Sequence, residues 1–147
     1  WNVDLIRSKG INSETLRGDL KLQMIATRDI AAYAAERLIK RDFNGSSVRY
    51  LLGQRDISMI EATEIIGGKI SKPALSYIMT PYDDAKKGMI AMGMSPDVSR
   101  LFIEMSRAFN EGRIKTDLRN SENTTSTSFE TFCDEVLVPA FKRVKAA

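Results

Sequence analysis

Between Leu20 and Ile39 the hydrophobic period of the chain changes. Leu20, Leu22 and Met24 alternate with Lys21, Gln23 and Ile25, the two-residue repeat of a strand. Ile30, Ala31, Ala34, Ala35, Leu38 and Ile39 then recur at helical spacing, with Glu36, Arg37, Lys40 and Arg41 directed elsewhere. A strand feeding a helix within a few residues constrains the fold more than any other feature, because the alanine-rich stripe needs a sheet to lie against. Thr27 or Asp29 can cap this helix with a side-chain oxygen, and Asn44-Gly45 can stop it.

The same switch recurs downstream. SVRYLL, residues 47–52, reads as a strand closed by Gly53. Ser58 and Glu61 form a capping box that opens a helix to about Gly67-Gly68. Pro73 leads into ALSYIMT, residues 74–80, a further strand pattern. Strand, helix, strand at this spacing predicts a βαβ unit with parallel strands and a right-handed crossover. Residues 1–18 are mixed, with a short helical turn over 2–7 and turns at Gly10 and Gly18. Beyond residue 80 the pattern is helical. Thr80-Pro81 starts one helix, with Asp83 and Asp84 near its positive end, and Ser95-Pro96-Asp97 starts the next. That second helix carries Val98, Leu101, Phe102, Met105 and Phe109 on one face. Residues 115–127 are a polar loop, the least ordered stretch by composition. A capping box at Thr127 and Glu130 then opens a last helix with Phe129, Phe132, Cys133, Val136, Leu137, Ala140 and Phe141 on its apolar face. The expectation is one α/β domain over residues 1–147: a few parallel strands, one βαβ unit and a helical C-terminal region.

Composition excludes several functions. Twenty-two basic and nineteen acidic residues, mixed along the chain, give a net charge of only +3. A nucleic-acid binder more often carries a basic stripe with interleaved aromatics, so no nucleic-acid partner is expected. No apolar run approaches the roughly 20 residues that cross a bilayer, so no membrane partner is expected. With no secretory pattern in the opening residues, the expected location is cytoplasmic. One cysteine, Cys133, permits no internal disulfide. Histidine is absent, which excludes a histidine-based triad and a histidine-ligated metal within this chain.

Three stretches carry a family resemblance: MIATRDIAAYAAERL, YLLGQRDISMIEATEIIGGKISKP and SYIMTPYDDAKKGMIAMGMSP. In wording and order they resemble the NmrA-like family, atypical relatives of the short-chain dehydrogenase/reductases, many of them NAD(P)H-dependent oxidoreductases. The likeness covers roughly residues 20–141. It implies a Rossmann-like sheet, NAD(P)H as the cofactor of the complete protein, and quinone-like or carbonyl substrates. The family's Gly-x-x-Gly-x-x-Gly loop has no counterpart here, since the nine glycines never fall at that spacing. The expectation is therefore the C-terminal, substrate-side half of such a protein, with no catalytic, cofactor-binding or metal residues of its own. A non-catalytic NAD(P)-sensing regulator of the same family, and a stand-alone interaction module, are the alternatives.

Within that half, methionine is concentrated. Met79, Met89, Met92, Met94 and Met105 lie in or beside two predicted helices. Thioethers are flexible and polarizable and suit pockets for flat apolar ligands. Met89, Met92, Phe102 and Met105 are candidates to line a pocket for a small apolar or aromatic substrate, with ordinary core packing as the alternative. Tyr77 and Tyr82 flank the corner at Thr80-Pro81, beyond a strand's carboxyl end, where ligands gather in parallel sheets. Either could hydrogen-bond a substrate carbonyl, or be a half-buried aromatic with its hydroxyl in water. Asp29 is a helix cap or a link to a neighbouring loop before it is a catalytic acid. Cys133 reads as an inert core thiol, and Lys142, Arg143 and Lys145 as cations favoured at a helix end. Strands 20–26 and 47–52 would present unpaired edges, so the chain is expected to self-associate or to pair with the missing half.

Overall fold

The computed structural model describes residues 3–114 and 118–143. The elements are α1 (Val3–Lys9), β1 (Ile11–Glu14), β2 (Lys21–Leu22), α2 (Thr27–Lys40), β3 (Ile57–Ser58), α3 (Met59–Lys69), β4 (Ser76–Met79), α4 (Tyr82–Ala91) and α5 (Pro96–Asn110). A last helix follows in three parts: α6 (Phe129–Phe132), a π turn (Cys133–Leu137) and α7 (Val138–Lys142). Asn2, residues 115–117 and Lys145 lie outside the described residues. No helix among the described residues is long and apolar enough to cross a membrane.

The architecture is mixed α/β, with a parallel strand pair at its centre. β1 runs parallel to β4, pairing Ile11 with Ser76 through to Glu14 with Met79. The Thr80 amide extends the ladder to the Glu14 carbonyl at 2.8 Å. Gly10, at φ 65°, makes the tight turn from α1 into β1 that a residue with a Cβ resists. α3 covers one face of the pair. There Asn12, fully buried, donates from Nδ2 to Thr63 Oγ1 at 2.9 Å, and Thr63 donates to the Met59 carbonyl at 2.7 Å. Ser58 caps α3 by accepting from the Glu61 amide at 3.1 Å, as its sequence predicts.

The strand assignments differ from the periodicity. Residues 20–26 form a strand only at Lys21–Leu22, and it pairs antiparallel with Ile57–Ser58. Residues 47–52 form none; Leu52 alone makes a parallel bridge, to Thr124. β4 lies within the predicted 74–80, but its partner is β1, from a segment read as mixed with turns. The parallel pair therefore spans a crossover much longer than the predicted unit, with α2 and α3 both inside it. The physical reason is that a strand exists by its partner. Residues 47–50 are exposed, with Val48 84% accessible, and their neighbour, residues 120–123, meets them through the Arg49 side chain on the Glu122 carbonyl at 2.8 Å, with no strand assigned there.

Helix ends shift as well. Neither Thr27 nor Asp29 caps α2; its N-cap is Ala26, with no side-chain bond. α2 ends before Asn44-Gly45, at Arg41 in the left-handed region. Pro81 is the N-cap of α4 rather than its first helical residue. The last helix is capped by Ser128 accepting from the Thr131 amide at 3.0 Å, one residue later than the Thr127 box. Part of the polar loop is pinned. Asn123 is buried, bonds the Leu118 carbonyl through Nδ2 and accepts from the Asn120 amide.

The core joins α1, α3 and the last helix. Ile6, Ile66, Leu75, Cys133 and Leu137 are buried together, with Phe129, Phe132 and Phe141 packed on them. Arg7 ties α1 to α7 by donating to the Phe141 carbonyl at 2.8 Å. Burial pushes the Cys133 thiol up to about 12, which leaves it inert. α2 contributes nothing buried, and its Leu38 and Ile39 are 66% and 81% accessible.

Gly53 is buried where the chain crosses itself, and a Cβ there would overlap the carbonyl of Met24. Gly53→Ala is expected to cost about 3 kcal/mol, the upper part of the overpacking range, because backbone cannot rotate aside. Urea denaturation checks this, and unchanged stability contradicts the crossing.

Candidate functional site

The carboxyl ends of β1 and β4 open into a cleft of about 790 Å³. Its walls come from α1, α4 and α5, and its base from the strand ends. This is where a parallel sheet leaves space, because side chains from successive loops diverge past the last ladder bond. The volume falls within the roughly 300–1,000 Å³ of small-molecule sites.

The walls are apolar. Met89 and Met92 enter from α4 and the turn that ends it, and Phe102, Met105 and Phe109 enter from α5. All four residues singled out for the pocket therefore share one cleft. Met92 sits at the rim, 82% accessible, while Met89 is half-buried. Of the other clustered methionines, Met79 and Met94 are not in its lining.

α5 is placed with an unusual side inward. Ser99, Ile103 and Ser106 are buried, whereas Val98, Leu101, Phe102 and Met105 are 42–48% accessible. The serines satisfy themselves along their own helix, Ser99 to the Ser95 carbonyl at 2.9 Å and Ser106 to that of Phe102 at 3.0 Å. Small buried residues leave the large apolar stripe to face the cleft and the solvent. Ser95 caps the helix at 3.2 Å from the Val98 amide, with Pro96 at its first turn, as predicted.

The base is a set of paired hydroxyls. Ser13 Oγ and Thr80 Oγ1 are 2.5 Å apart, and Ser13 also reaches the Ile78 carbonyl at 2.8 Å. Thr15 Oγ1 and Ser106 Oγ are 2.7 Å apart. These bonds fix β1, β4 and α5 relative to one another. Three charged side chains line the cleft: Lys9, Glu14 and Asp84. Asp84 has Lys87 at 4.0 Å. The Glu14 carboxyl has no hydrogen-bond or ion-pair partner among the described residues. Glu14 is exposed; the surface around the strand ends removes part of its water and raises its pKa above the ordinary carboxylate value, against the lowering pull of the terminal amine.

The two tyrosines are elsewhere. Tyr77 donates to the Leu16 carbonyl at 2.6 Å, and burial, with Glu14 nearby, pushes its pKa up to about 12. It clamps the loop after β1. The Tyr82 hydroxyl accepts from Asn110 Nδ2 at 2.6 Å, and Arg107 lies 4.5 Å above its ring. Neither lines the cleft, so neither hydroxyl stands ready for a substrate carbonyl there. The sequence reading missed Ser13, Glu14 and Thr15, because residues 11–15 lack the alternation that marks a strand with one apolar face.

Two glycines serve close chain packing, Gly53 against Met24 and Gly67 against the Lys72 carbonyl. Neither gives a backbone approach to a pyrophosphate at the start of a helix. No group of three or more potential metal-ligating side chains assembles among the described residues.

A smaller cavity of about 300 Å³ lies between residues 24–26 and the start of the last helix. Beside it, Asp29 Oδ1 accepts from the Thr127 hydroxyl at 2.7 Å. Burial pulls the Asp29 pKa upward, but hydrogen bonds from Thr127 and Thr125 outweigh it and hold the carboxyl below its usual range. Asp29 is thus a link to the neighbouring loop. No family model matches the chain, and comparison with curated proteins and with solved structures gives no significant match.

Asp29→Ala is expected to lower stability by about 1.5 kcal/mol, the value of charge-assisted hydrogen bonds to one carboxylate. A carboxylate with a depressed folded pKa stabilises above its ordinary pKa, and that contribution disappears as pH falls through the folded value. The difference between wild type and variant should therefore shrink in acid, as urea denaturation across pH would read out.

Proposed function

We propose that the chain binds a flat, largely apolar small molecule in the cleft at the ends of β1 and β4. We infer further that it does so as the substrate-side portion of a Rossmann-like, NmrA-like NAD(P)H-dependent oxidoreductase acting on quinone-like or carbonyl compounds. The observation that carries the binding is the convergence of Met89, Met92, Phe102 and Met105 on one cleft of suitable volume. The reductase class rests on the resemblance over roughly residues 20–141. Since the nine glycines never take the dinucleotide spacing, the grip on a dinucleotide would come from outside this chain. The chain alone is then expected neither to hold NADPH tightly nor to turn over.

A second reading, an interaction module, is favoured by α2. Its Leu38 and Ile39, with Phe43 and Val48 beyond them, form apolar surface that no described residue covers. One titration separates the readings. 1,4-Naphthoquinone followed by calorimetry should bind, and the Met89→Ala/Met105→Ala double variant should bind about tenfold more weakly, from lost apolar contact, with an unchanged circular dichroism spectrum. Wild-type protein that leaves the naphthoquinone unbound supports the module; equal affinity in the double variant removes the pocket.

A further inference from the structure

The hydroxyl protons at the base of the cleft can be counted. A hydroxyl has one proton to donate and two lone pairs. Ser13 Oγ lies 2.8 Å from the Ile78 carbonyl, and a carbonyl only accepts, so the Ser13 proton is committed there. The 2.5 Å contact between Ser13 and Thr80 is then donated by Thr80. The second pair follows the same logic. Ser106 donates to the Phe102 carbonyl at 3.0 Å, so Thr15 donates in its 2.7 Å contact with Ser106. Each threonine has therefore given its proton to a serine and keeps only lone pairs. Thr15 and Thr80 both line the cleft and are partly accessible. The exposed carboxylates in the lining, Glu14 and Asp84, accept as well. Among the described lining residues, the side-chain donor left over is the Lys9 ammonium, exposed at the end of α1.

We propose that the base of the cleft selects hydrogen-bond donors, with Thr15 and Thr80 as its acceptors, and that its ligand is an aromatic ring bearing a hydroxyl. This rests on the cleft being a ligand site, and it narrows the ligand class. Of a carbonyl and its alcohol, the alcohol is the form that the strand ends hold. The carbonyl form is held by contact of its ring with Phe102, Met89 and Met105. A carbonyl oxygen set against Thr15 or Thr80 would meet lone pair with lone pair. To donate to it, the threonine would have to take its proton back from a serine, at the cost of that hydrogen bond. Lys9 does not reverse the preference, because an exposed ammonium is strongly hydrated and gains little by exchanging water for a carbonyl.

2-Naphthol and 2-methoxynaphthalene provide the test. They share one ring system, and only the naphthol has a proton to donate. The ether carries an extra methyl group, so apolar contact alone would rank it first. Calorimetry at neutral pH should instead show naphthol bound about tenfold more tightly, the worth of about one hydrogen bond. In Thr15→Val/Thr80→Val the preference should vanish through lost naphthol affinity, with the ether bound as before. In Ser13→Ala/Ser106→Ala both threonine protons are released, so the ether should gain several-fold while naphthol keeps its affinity. Circular dichroism checks the fold of each variant, and the wild-type comparison decides the matter if a variant does not fold. Equal binding, or a preference for the ether, in the wild type overturns the donor preference and leaves the cleft standing. A naphthol preference that survives Thr15→Val/Thr80→Val, or an ether affinity unmoved in Ser13→Ala/Ser106→Ala, also overturns it. Failure of both compounds to bind overturns the cleft and this inference together.

Discussion

The pairing of Ile11–Glu14 with Ser76–Met79 is the constraint on which the rest depends. It brings together segments far apart in the chain, so it closes a long loop before any contact rewards it. What holds it is layered on one face. Asn12 is locked to Thr63, α3 lies over the pair, and Ile66 and Leu75 continue into the core with α1 and the last helix. Beyond the carboxyl ends the pair is not covered in the same way. There the strands give way to hydroxyls and a carboxyl, and the cleft begins.

Core and cleft are thus set by the same ladder, one on its covered face and one beyond its carboxyl ends. The loop after β1 is held down by Tyr77, and α5 is held against Thr15 by Ser106 and Asn110, the latter donating to the Thr15 carbonyl at 2.9 Å. Polar bonds seat α5, and its apolar stripe is left to line a cavity. Had the stripe been the packing face, Phe102 and Met105 would be core residues and no cleft would exist. The choice of small serines at 99 and 106 decides which side of the helix goes in.

Local signals in the sequence are reproduced where local chemistry decides. Ser58 with Glu61 and Ser95 with Pro96 start helices where they should, because a cap needs only neighbours within one turn. The apolar face of the last helix supplies Phe129, Phe132, Cys133, Leu137 and Phe141 to the core; Val136 stays 47% accessible within a π turn that alters the helical spacing. Strands are decided by distant partners. LKLQMIA alternates well yet pairs over two residues, while INSE alternates poorly and forms the central ladder. The methionines and Phe102 were legible as a group because helical spacing puts them on facing sides. Ser13, Glu14 and Thr15 were not, because their place in the lining comes from a pairing that no local period encodes. Asp29 and Cys133 carry the structural roles that residue chemistry favours for them.

The parallel pair is tested most directly by backbone proton contacts in a nuclear magnetic resonance spectrum of the intact chain. Cross-strand contacts of Asn12 with Tyr77 and of Ser13 with Ile78, together with a slowly exchanging Thr80 amide, are the predicted result. Contacts joining residues 74–80 to residues 20–26 or 47–52 instead would contradict it, and with it the position of the cleft.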